Sequence, residues 1–303
     1  TTPEDTSTNL VLTASDVDST NLVFAILTGS TNGGLSLLDT NTGAVTYSPT
    51  ANYNGPDSFT FTVSDGSLLA TGTVSITVTP VNDGPIANNQ SVATPEDTAT
   101  NLVLTASDVD STNLVFAILT GPANGGLSVL DTNTGAVTYS PATNYSGPDS
   151  FTFTVSDGSL LVTGTVSITV TPVNDGPVAG NQSVTTPEDT ATNLVRTASD
   201  IDSTNLVFAI LTGPANGGLS VLDTNTGAVT YSPTANYNGP DSFTFTVSDG
   251  SLLATGTVSI TVIPVNDGPV AHGQSVTTPE DTATNLVLTA SDVDSTNLVF
   301  AIL

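Results

Sequence analysis

Ser58-Phe59-Thr60-Phe61-Thr62-Val63 alternates strictly between hydroxyl and apolar side chains. On an extended backbone this puts Phe59, Phe61 and Val63 on one face and the Ser and Thr side chains on the other, the pattern of a half-buried β-strand. Working outward, the same period-2 pattern returns in Val74/Ile76/Val78, Val45/Tyr47, Leu22/Phe24/Ile26 and Leu10/Leu12/Ala14, and Ile86 marks a further strand. Between these runs lie Asn32-Gly33-Gly34, Asn41-Thr42-Gly43 and Asp65-Gly66, which read as turns. No stretch has helical periodicity, and the Thr and Val enrichment agrees with strand propensity. About seven short antiparallel strands predict an all-β, Ig-like two-sheet sandwich with Greek-key connections.

The pattern is copied along the chain. Pro-Glu-Asp occurs at 3–5, 95–97, 187–189 and 279–281, and Val-Asn-Asp at 81–83, 173–175 and 265–267, a constant period of 92 residues. That period exceeds a solenoid unit and suits a small domain with its own core. The expected organisation is beads on a string: repeat 1 at 1–82, without its first strand; repeat 2 at 83–174; repeat 3 at 175–266; and a partial repeat 4 at 267–303 holding the first two strands. One residue resists the pattern. Arg196 stands where the other copies have Leu12, Leu104 and Leu288, and alternation aims it at the core, so it either snorkels out at a sheet edge or the facing changes there.

The chain starts and stops in mid-repeat without an initiating Met, so a longer polypeptide is expected. Residues 270–303 supply a strand that repeat 1 lacks. They either belong to a continuous fibre or complete the first sandwich of another copy by strand addition, giving a head-to-tail filament.

Charge excludes several functions. There are 28 Asp and Glu against one Lys or Arg, for a net charge of −27. Such a surface repels nucleic acid and anionic lipid, both of which are bound through clustered Lys and Arg. No run approaches the ~18 apolar residues of a spanning helix. The absence of Cys removes disulfides and thiolate chemistry, and the absence of Lys removes Schiff bases and isopeptide staples.

The acids recur in register. In the second copy they are Glu96, Asp97, Asp108, Asp110, Asp131, Asp149, Asp157 and Asp175. Like charges ~4 Å apart repel by about 1 kcal/mol in water and about 4 kcal/mol at an effective dielectric near 20, so clustered carboxylates call for a cation or full solvation. On extended backbone the side chains of Asp108 and Asp110 point the same way and make an oxygen pair. Hard oxygen ligands without His or Cys suit Ca²⁺.

Four ordered motifs carry a family resemblance. Ala106-Ser107-Asp108-Val109-Asp110 resembles the A-x-D-x-D segment of cadherin repeats, and Asp131-Thr132-Asn133-Thr134-Gly135-Ala136-Val137 their D-x-x-T-G-x-I turn. Val155-Ser156-Asp157-Gly158 is similar to their A-x-D-x-G, and Val173-Asn174-Asp175-Gly176-Pro177 to their D-x-N-D-N-x-P linker. The variant resembled over essentially the whole chain is the bacterial cadherin-like module found in tandem in giant secreted adhesins and extracellular fibre proteins.

The resemblance implies calcium at the junctions between consecutive repeats. The implied ligands at the first junction are Glu4, Asn82, Asp83, Asp108, Asp110 and Asp157, with Asn113 as an additional carbonyl donor. At the second they are Glu96, Asn174, Asp175, Asp200, Asp202 and Asp249, with Asn205 in the same added role. At the third they are Glu188, Asn266, Asp267, Asp292 and Asp294. Two departures reduce the expected ion count: the cadherin D-R-E motif is missing from Val45-Thr46-Tyr47-Ser48-Pro49, and Gly84 replaces the second linker Asn.

Other readings compete at several positions. Asp157-Gly158 also reads as a hairpin turn, and Asn174-Asp175-Gly176-Pro177 as a stiff linker. Asp131 is expected to cap its own turn, and Asp57 and Asp149 to be structural or solvated. His272 has no counterpart in the other copies and is expected at the surface. Asn89-Gln90-Ser91, Asn144-Tyr145-Ser146 and Asn181-Gln182-Ser183 match the glycosylation pattern.

The expected function is an extracellular, calcium-stiffened structural or adhesive stalk. Its partners would be neighbouring repeats, other copies in a filament, and a surface or glycan ligand. The alternative is a set of spacer or binding modules inside a large secreted enzyme. Catalysis by the repeats themselves is disfavoured, since there is no Trp and scarcely any Arg or His to grip a sugar, and the same acids recur in every copy.

Overall fold

A computed structural model of the chain describes residues 1–36 and 39–303, and it divides into two compact units, Thr1–Pro172 and Val173–Leu303. The described residues contain strands and turns but no helix. The second copy of the repeat shows how the alternating stretches are used. Its strands are β1 (Ile86–Ala87), β2 (Gln90–Pro95), β3 (Thr100–Val103), β4 (Ala106–Ser107), β5 (Val115–Thr120), β6 (Gly125–Leu127), β7 (Ala136–Pro141), β8 (Gly147–Ser156) and β9 (Leu161–Thr171). The first two and the next two are single strands interrupted midway, which reconciles nine segments with a seven-strand sandwich.

One sheet has the order β5-β8-β9-β2, the other β3-β7-β6, and β1 pairs with β4 beside them. The long hairpin β8–β9 runs antiparallel from Gly147↔Val170 to Ser156↔Leu161. The inward face of each strand builds the core: Leu102, Leu104, Phe116, Val137, Tyr139, Phe151, Phe153, Val155, Val166, Ile168 and Val170. Burying each large side chain of this kind contributes about 1.5–3 kcal/mol. Equivalent cores form around Tyr47 and Phe59 in the first copy and around Tyr231 and Phe243 in the third.

Two expectations need correction. The strands are not all antiparallel, because β2 lies parallel to β9 from Gln90↔Val166 to Pro95↔Thr171. First and last strands that run side by side in one direction make the chain enter the sandwich at one end and leave at the other, as tandem connection requires. Asn32-Gly33-Gly34 is not wholly a turn, since Gly33–Ser36 is a strand. A Cβ at Gly33 would lie 2.5 Å from Tyr47 Cε2, so this Gly is set by close packing under the ring.

Arg196 departs from both of its expected escapes. It is 2% exposed, on the inward face beside buried Leu194, and its N–H donates to the Gly227 carbonyl at 3.0 Å. The alternation therefore holds, and the guanidinium stays inside. In the first copy, Thr2–Pro3 pairs in parallel with Val78–Thr79, and a groove lined by Ala14, Leu22, Val63 and Ala70 opens where Ala87 packs in the second copy. At the C-terminal end, Val270–His272 pairs with Thr289–Ser291, and Leu288 is exposed where its counterpart Leu104 is buried.

Candidate metal centre

The linker after the first repeat is held at both ends by carboxylates. Glu4 is 2% exposed, and its Oε1 accepts the N–H of Val81 at 2.6 Å. Asn82 Nδ2 donates to Asp157 Oδ2 at 2.6 Å and to the Asp83 carbonyl at 2.9 Å. The Asp83 N–H donates to Asp110 Oδ2 at 2.7 Å. Glu4, Asn82, Asp83, Asp110 and Asp157 thus meet at one junction.

Asp108 joins them through a bend rather than an extended strand, which corrects the geometry expected for the Asp-Val-Asp pair. Its Oδ1 accepts the N–H groups of Asp110 and Ser111, both at 2.8 Å, and so folds the segment back on itself. Asp157 closes its hairpin turn and also reaches the linker. Its Oδ1 closes the hairpin by accepting from Ser159 at 2.6 Å and Leu160 at 2.7 Å, while its Oδ2 faces the linker. Asn113 is tied locally, its carbonyl accepting from Ser111 Oγ at 3.4 Å.

Three carboxylate oxygens here are buried without a hydrogen-bond donor: Glu4 Oε2, Asp83 Oδ2 and Asp108 Oδ2. Burial, and then the negative charges of Asp110, Asp5, Glu4 and Asp108, push the Asp83 carboxyl above its ordinary range. A buried anion without a donor is costly, and a hard cation is the group that relieves it. Among the described residues no three His, Cys, Asp or Glu side chains already close into a metal cage. The donor set nevertheless fits Ca²⁺, being all oxygen and mostly anionic.

The pattern repeats. In the second unit Asn174 Nδ2 donates to Asp249 Oδ2 at 2.7 Å, and the Asp175 N–H to Asp202 Oδ2 at 2.7 Å. Asp200 Oδ1 accepts from Asp202 and Ser203 at 2.8 Å, and its Oδ2 is buried without a donor. Glu96 is 4% exposed at the end of the second repeat. At the third junction Glu188 Oε1 accepts from Val265 at 2.6 Å, Asn266 Nδ2 donates to the Asp267 carbonyl at 2.9 Å, and Asp294 Oδ2 accepts the Asp267 N–H. Asp292 Oδ1 accepts from Asp294 and Ser295 at 2.9 Å, and Asp267 Oδ2 is buried without a donor. Burial, and then Asp294, Asp189, Glu188 and Asp292, push Asp267 up as Asp83 is pushed up.

Sequence reasoning missed Asp5 and Asp189, the second acids of Pro-Glu-Asp. Each sits in the left-handed region, at φ 55 and 54, and accepts a backbone N–H, from Asn52 and Asn236, at 3.0 Å. Each also adds negative charge at the linker Asp. Their adjacency to the predicted Glu ligands is the signal that marks them. Asp131 caps its turn as expected, accepting from Asn133 at 3.0 Å and Thr134 at 3.1 Å.

Fold and junctions together define a tandem-repeat, all-β module protein with acidic linkers. The chain belongs to the bacterial Ig domain family, which it matches at residues 82–169 and 174–261, and residues 1–80 match the bacterial cadherin-like domain. Among curated proteins it is 27% identical to integrin beta-like protein E of Dictyostelium discoideum, over 73% of this chain and 13% of that protein. It is 28% identical to the human extracellular matrix organizing protein FRAS1, over 71% of this chain and 7% of that protein. The chain thus spans a small part of these relatives. Among solved structures, the human desmocollin-1 ectodomain aligns with 97% of this chain and 65% of its own, at 16% identity and a TM-score of 0.44. No helix is long and apolar enough among the described residues to cross a membrane.

Proposed function

We propose that this chain is an extracellular segment of a structural or adhesive fibre whose junctions are stiffened by calcium, and that it carries no catalysis of its own. The observation behind this reading is the set of buried, donor-less oxygens Glu4 Oε2, Asp83 Oδ2 and Asp108 Oδ2 around one linker. Glu4 belongs to the preceding repeat, Asp108 to the following one and Asp83 to the linker. A cation held by all three ties two sandwiches and their connector together, with Asp110, Asp157 and Asn82 completing the oxygen shell. The FRAS1 relative, an extracellular matrix organizing protein, supports an extracellular setting.

A second reading is a passive spacer, favoured by the metal-free clasp of Asn82 on Asp157. Small-angle scattering in calcium and in chelator separates the two. The calcium reading expects a longer, narrower distribution of particle dimensions and a higher melting temperature with calcium. A spacer shows neither change.

A further inference from the structure

The third repeat carries a buried positive charge, from the one Lys or Arg of the sequence. Arg196 is 2% exposed, and its Nε, Nη1 and Nη2 are all buried with no hydrogen-bond acceptor. Its counterparts Leu12 and Leu104, 4% and 1% exposed, belong to the apolar cores of their repeats. The core of the third repeat comprises Leu194, Phe208, Val229, Tyr231, Phe243 and their neighbours, with the guanidinium set among them. Its charged end lies over the face of Phe243, 5.2 Å from the ring centroid to Cζ. Burial lowers its affinity for a proton. The buried Asp241 carboxylate of the same repeat is engaged by the Tyr231 hydroxyl and the N–H groups of Ala215, Asn216 and Ser242.

We propose that Arg196 makes the third repeat the built-in yield point of the chain, the sandwich that opens first under heat or tension while its neighbours stay folded. A guanidinium without an acceptor regains its hydration only when the core opens, so it lowers the stability of this one repeat and leaves the folded architecture in place. Along a load-bearing chain of otherwise near-identical modules, a single weaker module fixes where extension begins. Opening it releases 92 residues, and at about 3.3–3.6 Å per extended residue this gives roughly 300 Å of slack. The inference stands whether or not the junctions bind calcium, since Arg196 lies in a core.

Hydrogen exchange of the full chain tests it, because the last strands of the three repeats differ in sequence. They are Leu69–Thr79, Leu161–Thr171 and Leu253–Ile263, told apart by Ala70, Val162 and Ala254 and by Thr79, Thr171 and Ile263. The expected result is exchange in Leu253–Ile263 faster than in Leu161–Thr171 by on the order of tenfold or more, with Arg196→Leu removing the difference. Arg196→Leu restores the residue of the other repeats and so keeps the fold. In single-molecule pulling, Arg196→Leu is expected to abolish a lowest-force unfolding event seen in the parent chain. Equal exchange of the two strands in the parent protein, or a difference that survives Arg196→Leu, overturns the proposal.

Discussion

The Tyr139 hydroxyl donates a 2.8 Å hydrogen bond to Asp149 Oδ2, between side chains that are both buried. The same carboxylate accepts the N–H groups of Ala123 and Asn124 at 3.0 Å and of Ser150 at 2.8 Å. It therefore ties the loop before β6 to the start of β8 and to the middle of β7. Tyr47 with Asp57 and Tyr231 with Asp241 repeat the bond at 2.8 Å.

Asp149→Ala strands three N–H groups and a hydroxyl at a buried position, and is expected to destabilise the second repeat by about 2–4 kcal/mol. Tyr139→Phe removes one bond and is expected to cost about 1 kcal/mol. Thermal melting followed by repeat-resolved hydrogen exchange measures both. Equal and negligible effects would show that the clasp is not structural.

Desolvation raises the Asp57 and Asp149 carboxyls, but the Tyr hydroxyl and the three N–H donors together outweigh it and hold both below the ordinary 3.8. A depressed folded value adds stability that is fully present above pH 3.8 and is lost as pH falls through the folded values. Acid unfolding is accordingly expected to begin below that pH. In Asp149→Asn the second repeat should lose part of this acid dependence, read as a flatter stability profile below about pH 4.

Gly164 faces Phe153 across the β8–β9 hairpin, and a Cβ there would sit 2.5 Å from Phe153 Cζ and 3.0 Å from Ala87 Cβ. Phe153 is fully buried and has no room to retreat. Gly164→Ala is expected to destabilise the second repeat by about 1–3 kcal/mol through overpacking. A neutral result in denaturant unfolding would mean that the two strands separate more easily than this packing implies.

The faces of strands were legible in the sequence, and their partners much less so. Phe59, Phe61 and Tyr47 are buried as alternation requires, and even Arg196 obeys it. Alternation states which way a side chain points but not which strand lies beside it, so the parallel pairing of Gln90 with Val166, 76 residues away, was invisible. The Asp149 clasp was hidden for the same reason: Gly-Pro-Asp looks like turn chemistry, and its donors Ala123 and Asn124 lie 26 and 25 residues off. Which acids lie beside the linker follows from residue type and order along the motif. The bend at Asp108 was not, since the side-chain bond to its own backbone overrides the extended geometry that the spacing suggests.

Direct calcium binding tests the central claim most plainly, through titration of the parent chain and of Asp108→Asn. Asn at 108 can still accept from Asp110 and Ser111 and so preserves the bend, while the anionic Oδ2 is lost. Sites of this extracellular kind bind at about 10⁻⁴–10⁻³ M, so the titration must reach millimolar calcium. Saturable binding by the parent chain, weakened in Asp108→Asn without loss of fold, is the result the junction geometry predicts. An absence of saturable binding through that range, or binding unchanged in Asp108→Asn, would contradict it.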